Sequence, residues 1–207
     1  MYSYRIDHDY GLAPNPFGGY CTVAVCKPNI RRSSNLKIND WLIGTGSKSL
    51  ERSSGIKCIT KLIYAMQVTE ILDLNSYWND PRFQYKKPQM GGTLTTIFGD
   101  NFYHLDADGN WIQDDCAHRN ISGQFNKDHF RKDTEGRNVL ISTNFYYFGD
   151  NAPEIPNDFI SVCHTTQGQK LVWPVELINS FLNWIENNYS KGVNGLPISW
   201  SKYNKKK

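Results

Sequence analysis

The chain has 207 residues, enough for one domain with a sizeable core. Hydrophobic residues make up 39% and charged residues 21%, the balance of a globular rather than a disordered chain. A net charge of +3 is too small to coat duplex DNA by charge alone, and no apolar run is long enough to span a bilayer. Aromatic residues reach 14%, with 6 Trp and 12 Tyr. Such a content serves either a small β-rich core or stacking surfaces for flat ligands. The cysteines, Cys21, Cys26, Cys58, Cys116 and Cys163, contain no CxxC pair and read as free buried thiols. With no disulfide framework and no secretory signal, the expected location is the cytoplasm.

In chain order, Tyr2, Tyr4 and Ile6 alternate with Ser3, Arg5 and Asp7, the pattern of a first strand carrying Arg5 and Asp7 on one face. Residues 11–19 hold two prolines and a glycine pair and read as a loop of defined shape. Residues 20–25 form a second strand, closed by Pro28 and the basic Arg31-Arg32. Residues 33–39 are a polar loop. The stretch from Ile38 to Pro88 then organises the chain. Trp41 to Gly44 reads as a buried strand, and Gly44-Thr45-Gly46-Ser47 as a turn leaving room for a ligand to approach the backbone. Residues 48–57 are basic and serine-rich, either a solvated loop or a phosphate-contacting flap. Leu62, Tyr64, Met66 and Val68 share one face of the next strand, and Ile63, Ala65 and Gln67 the other.

Residues 73–79 make a short helix capped by Asp73 or Asn75 and stopped at Asp80-Pro81. Around it lies an aromatic cluster of Tyr77, Trp78, Phe83 and Tyr85. Residues 89–96 are a loop or a transition into a strand. Residues 102–105 and 111–113 flank a hairpin turn at 106–110. That turn lacks the downstream glutamate and flanking helices of a calcium-binding EF-hand. Residues 114–133 are polar and hold His118 and His129. Residues 138–148 read as a strand and 149–156 as a turn-forming loop. Residues 174–189 recur at helical spacing through Leu177, Phe181, Trp184 and Ile185, an amphipathic helix whose aromatic stripe faces a core. From about residue 192 the tail is expected to be loose, ending in the basic residues 205–207.

No GxGxxG, P-loop or GxSxG pattern occurs, and no cofactor or metal is implied. Cys116 with His118 and Cys163 with His164 bring thiols near imidazoles, although neighbours on a strand point to opposite faces. Arg5, Asp7, His104 and His118 are candidate acid/base groups, Asp100 being a candidate partner for His104. The better-supported constellation is a pocket for a flat, polar ligand. Trp41, Tyr64 and Trp78 would be its walls, with Thr45, Ser47 and Lys48 supplying polar groups.

The segments Tyr2–Arg32, Asn39–Lys48, Lys61–Glu70, Ser76–Phe83, Lys86–Pro88, Gly99–His104 and Val139–Gly149 resemble, in order, the family called nucleotide modification associated domain 2. The resemblance implies a setting of DNA base modification, phage or defence systems. The Gly46-Ser47 turn, the strand running to Val68 and Glu70, and Tyr77 through Phe83 are also similar to EVE and ASCH domains of the PUA-like superfamily. Asn39-Asp40 stands where those domains carry Gly-Asp. Several of those relatives read modified bases in an aromatic pocket.

The expected fold is therefore α+β: a PUA-like (EVE/ASCH-like), twisted, partly closed β-barrel with flanking helices and a C-terminal amphipathic helix, as a single domain over residues 1–207. The expected function is a module that binds a nucleotide or modified base, with a nucleotide or nucleic acid as partner and no membrane. Two alternatives stand beside it, an enzyme acting on a nucleotide or base and a protein-interaction subunit. Oligomeric state is left open.

Overall fold

The computed structural model describes residues 1–119, 125–164, 166, 168–171 and 174–204. The basic residues 205–207 and the Val172-Trp173 lead into the last long helix lie outside them. The strands are β1 (Tyr2–Ile6), β2 (Cys21–Val23), β3 (Trp41–Gly46), β4 (Leu62–Gln67), β5 (Glu70–Asp73), β6 (Tyr103–Leu105), β7 (Trp111–Gln113), β8 (Asn138–Ser142), β9 (Asn144–Tyr147), β10 (Gln169–Leu171) and β11 (Gly192–Val193). The helices are α1 (Pro28–Arg31), α2 (Lys48–Ser54), α3 (Leu74–Asn79), α4 (Leu94–Ile97), α5 (Lys127–Glu135), α6 (Val175–Asn188) and α7 (Ser201–Asn204).

The strand expected to reach Val68 ends at Gln67, and the 138–148 run divides in two. Val68 N donates to Asp40 O at 2.8 Å, whereas Thr69 N donates to Ile141 O at 2.8 Å, so the hydrogen-bonding partner changes within two residues. The second run breaks at Thr143, between β8 and β9. At these two points the chain passes between two compact units. One comprises Met1–Tyr10, Asn39–Val68 and Thr143–Lys207, and the other Gly11–Ile38 and Thr69–Ser142.

The first unit is built on a six-stranded sheet in the order β10-β1-β3-β4-β9-β11. The β1/β3 and β9/β11 pairs are parallel and the rest antiparallel. Its edge strands, three and two residues long, do not pair with one another. Among the described residues no sheet closes, which corrects the barrel expectation; the mixed α+β composition stands. Every residue of β3 is buried, and so are five of the six in β4. The alternation in β4 thus separates two covered faces rather than core from solvent.

Gly44 and Gly46 lie inside β3 rather than in a turn. A Cβ on Gly44 would fall 2.4 Å from the Tyr64 ring, and one on Gly46 1.9 Å from the Cys58 carbonyl oxygen. The protein's own packing occupies the room these glycines leave. The segment after Gly192, expected to be loose, is anchored. Asp9 accepts from Ile198 N at 2.9 Å and from the Tyr147 hydroxyl at 2.5 Å, Trp200 Nε1 donates to Tyr10 O at 2.9 Å, and Ile198 and Trp200 are buried. In α6 the buried residues are Phe181 and Ile185, four apart on one face as its periodicity required.

The second unit holds a three-stranded antiparallel sheet, β2-β8-β5, and the β6/β7 hairpin. Its core packs Val25, Leu74, Tyr77, Phe83, Phe102 and Val139. Asp73 caps α3, its carboxylate accepting from Ser76 N at 2.8 Å, as the sequence predicts. Of the 89–96 segment, residues 89–93 are loop, as one of the two expectations had it, and the short helix α4 follows rather than a strand. Two ionisable groups are enclosed here. The Lys86 ammonium donates to Asn15 Oδ1 at 2.7 Å, Asn15 O at 3.0 Å and Tyr20 O at 3.1 Å. Asp100 accepts from Thr22 Oγ1 at 2.6 Å and from the Tyr77 hydroxyl at 2.8 Å. Burial pushes the lysine down to about 8 and the aspartate up, while their opposite charges partly restore both.

Candidate functional site

A cavity of about 350 Å³ opens at the C-terminal end of β3 in the first unit. Arg5, Thr45, Gly46, Ser47, Lys48, Ile59, Thr60, Cys163 and His164 line it. Its size lies within the usual range for small-ligand sites, about 300–1,000 Å³. β1 contributes Arg5 and β3 contributes Thr45 and Gly46. The strand register against β4 slips between Gly44 and Thr45, an irregularity that re-aims side chains at a strand end.

Over its first part the basic insert is a helix rather than a loop, residues 48–54 forming α2. Ser47 caps that helix, accepting from Leu50 N at 3.1 Å, and donates its proton to Asp7 Oδ1 at 2.8 Å. Lys48 is the exposed first residue of α2. One turn on, Glu51 Oε1 accepts from Cys58 N at 2.7 Å and Ile59 N at 3.0 Å. Those amides, that of Ile59 foremost, hold its carboxyl below the usual range and fasten the segment that forms the cavity's Ile59–Thr60 wall. Thr60 has φ 60, a conformation β-branched residues rarely adopt. Strain of this kind concentrates at functional sites. Cys163 Sγ lies 4.0 Å from Thr60 O, and burial pushes its thiol up to about 11. His164 Nε2 is 3.3 Å from Thr166 Oγ1.

Arg5, Thr45, Ser47 and Lys48 of the sequence-derived set therefore meet at one cavity, with Asp7 bound to its Ser47. Trp41 and Tyr64 do not join them. Tyr64 is fully buried, its hydroxyl hydrogen-bonded to that of Tyr4. Trp41 lines a different depression, with Gln67, Asn144, Asn179, Leu182, Asn183 and Glu186. At the rise of an extended strand, the six residue steps from Trp41 to Ser47 span about 20 Å, more than one mononucleotide. Trp78 belongs to the second unit, where its ring stacks on His104 at 4.0 Å and lies 3.4 Å beneath the Lys87 ammonium.

His104 sits 3.4 Å from Asp114 rather than beside Asp100. His118 meets Asp133 at 2.9 Å and Cys26 at 3.9 Å, whereas Cys116 Sγ accepts from Gln113. Sequence reasoning missed Ile59, Thr60 and the pairing of Cys26 with His118, because contacts between residues so far apart leave no local pattern. Among the described residues no group of three or more His, Cys, Asp or Glu side chains could hold a metal ion, and no helix is long and apolar enough to cross a membrane.

The family model for nucleotide modification associated domain 2 matches residues 1–204. The chain belongs to this family. No curated protein and no solved structure matches it. Membership associates the chain, in coarse terms, with the modification of nucleotides.

Proposed function

We propose that this member of the nucleotide modification associated domain 2 family binds a nucleotide, with its phosphate group in the cavity at the end of β3. One observation carries the reading. Arg5 and Lys48, on different elements, converge with His164 on a concavity whose described lining contains no carboxylate. Phosphate oxygens accept hydrogen bonds and carry negative charge, so cationic donors are the groups that bind them. Thr45 adds a hydroxyl, whereas Ser47 has already given its proton to Asp7 and Thr60 its proton to Ile59 O. The role proposed is a binding module within DNA base-modification or defence systems, one that discriminates a modified base through groups beyond the phosphate site.

Calorimetric titration of a nucleoside against its 5′-monophosphate tests the phosphate site. The monophosphate should bind and the nucleoside should not, with affinity falling as salt rises. Lys48→Ala should weaken binding by about tenfold, the loss of one partly exposed charge-assisted contact worth roughly 1.5 kcal/mol. Equal affinity for nucleoside and monophosphate, or no change in Lys48→Ala, would remove the phosphate from this cavity.

A further inference from the structure

The second unit contains an ordered thiol–imidazole–carboxylate set outside the cavity described above. Cys26 follows the buried 21–25 segment and has φ 57, and Lys27 after it has φ 44. Two successive non-glycine residues in the left-handed region need external support. The support is buried Asp133, whose Oδ1 accepts from Cys26 N at 2.6 Å. Arg31 Nη1 holds the same turn from its other side, donating to Cys26 O at 3.2 Å.

The turn presents the Cys26 thiol 3.9 Å from His118 Nε2. The other ring nitrogen, Nδ1, lies 2.9 Å from Asp133 Oδ2, which also accepts from the Tyr103 hydroxyl at 3.1 Å. His129 stacks on the His118 ring at 4.3 Å. One carboxylate thus hydrogen-bonds the backbone of the cysteine and lies at ion-pair distance from the imidazole beside its sulfur. Nucleophile–base spacings are often loose in the absence of substrate.

The other four cysteines contrast with this one. Cys21, Cys58, Cys116 and Cys163 are buried, and burial pushes their thiols up to about 12 in Cys21 and about 11 in the rest. Buried thiols of that kind are inert. Cys26 alone of the five is half-buried.

We propose that Cys26 is the nucleophile, His118 the proton carrier and Asp133 the positioning residue of an acyl-transfer site that hydrolyses esters or amides. The Cys26 thiolate forms an S–C bond to the carbonyl carbon, the bond to the leaving oxygen or nitrogen breaks, and that atom takes the proton of the His118 imidazolium. Water then gives a proton to His118 while its oxygen attacks the thioester. The S–C bond breaks, a carboxylic acid leaves, and thiolate and imidazolium are restored. An oriented imidazolium suits leaving groups that need a proton, which selects esters and amides over alkyl or disulfide electrophiles. Burial lowers the basicity of His118, but the Asp133 carboxylate and Cys26 outweigh it and raise the imidazole to about 10, which keeps a proton ready for the leaving group at neutral pH.

The test uses the full chain with p-nitrophenyl acetate as probe, and iodoacetamide as a measure of thiol reactivity independent of substrate. Peptide mass spectrometry should find acetyl on Cys26, and Cys26→Ala should abolish both the adduct and the accelerated release of nitrophenolate. His118→Asn should slow acetylation and the alkylation of Cys26 near pH 6 by roughly tenfold or more. Asp133→Asn, checked for folding by circular dichroism, should move to lower pH the alkaline fall in acetylation that follows loss of the His118 proton. Acetyl confined to other residues, or alkylation of Cys26 at the same rate in wild type and His118→Asn, overturns the proposal.

Discussion

Lys86 offers the sharpest test of the electrostatics inside the second unit. Lys86→Met keeps the length and most of the apolar stem but removes an ammonium with three hydrogen bonds, to Asn15 Oδ1, Asn15 O and Tyr20 O. Leaving buried acceptors unsatisfied costs about 1–3 kcal/mol each. Against that, the substitution relieves the desolvation of a buried charge. Burial lowers the lysine to about 8 from 10.5, which corresponds to roughly 3 kcal/mol at neutral pH. Asn15 O keeps its bond from the Thr22 amide at 2.9 Å, so two acceptors lose their main donor, about 4 kcal/mol against roughly 3, a net destabilisation of about 1 kcal/mol at pH 7.

The balance changes with pH in a defined direction. Between about 8 and 10.5 the unfolded chain binds more protons at Lys86 than the folded one, so the wild type gains stability as pH rises through that window. Lys86→Met lacks that gain. The destabilisation, measured by urea unfolding of both proteins, should therefore grow by about 2–3 kcal/mol from pH 7 to pH 10. A difference that stays flat with pH would refute the depressed lysine. A variant as stable as wild type at pH 7 would refute the hydrogen-bond account.

Two further predictions probe the wall of the cavity. Gly46→Ala places a methyl 1.9 Å from the Cys58 carbonyl oxygen, a backbone atom that cannot rotate away, so the fold should lose about 3 kcal/mol in urea melts and the Ile59–Thr60 wall should shift, weakening nucleotide binding as well. An unchanged melting curve would mean that the 55–61 segment does not pack on β3 as described. Ser47→Ala removes the cap of α2 and the contact with Asp7, and should cost about 1–2 kcal/mol of stability while lowering nucleotide affinity less than Lys48→Ala does. A larger affinity loss from Ser47→Ala than from Lys48→Ala would make the hydroxyl a ligand contact rather than a helix cap.

The features legible in the sequence are those with local causes. Asp73 caps α3 because its side chain reaches an amide three residues on, and the Asp106–Asn110 turn closes the β6/β7 hairpin because Asp106 binds the Asp108 and Asn110 amides. Helix α6 follows from its apolar periodicity, and its bounds fall within a residue of the spacing that predicted it. The insert at residues 48–57 was harder to read. Its serines and charges suggest a loop, yet Ser47 and Glu51 together cap and anchor a helix.

Trp41 and Tyr64 stay out of the cavity lining for a related reason. Trp41, Tyr64 and Trp78 are indistinguishable in the sequence as large, flat side chains. Sheet order buries Tyr64, the distance along β3 separates Trp41 from Lys48, and His104 with Lys87 covers Trp78. Composition cannot tell a core aromatic from a stacking one, because hydrophobic burial is non-directional and rewards both.

The sequence alone determined the caps, the hairpin, the amphipathic helix, the apolar runs that become strands, and the family to which the chain belongs, since each is written in neighbouring residues or in an ordered set of segments. The tertiary structure alone decided where the strand toward Val68 ends, where the 138–148 run breaks, and whether the sheet closes. It also decided that Arg5, Lys48 and His164 share a cavity, and that Cys26 meets His118 and Asp133 across about a hundred residues of chain. Those outcomes depend on pairings between distant segments, whose energy appears only once the chain has closed the loops between them.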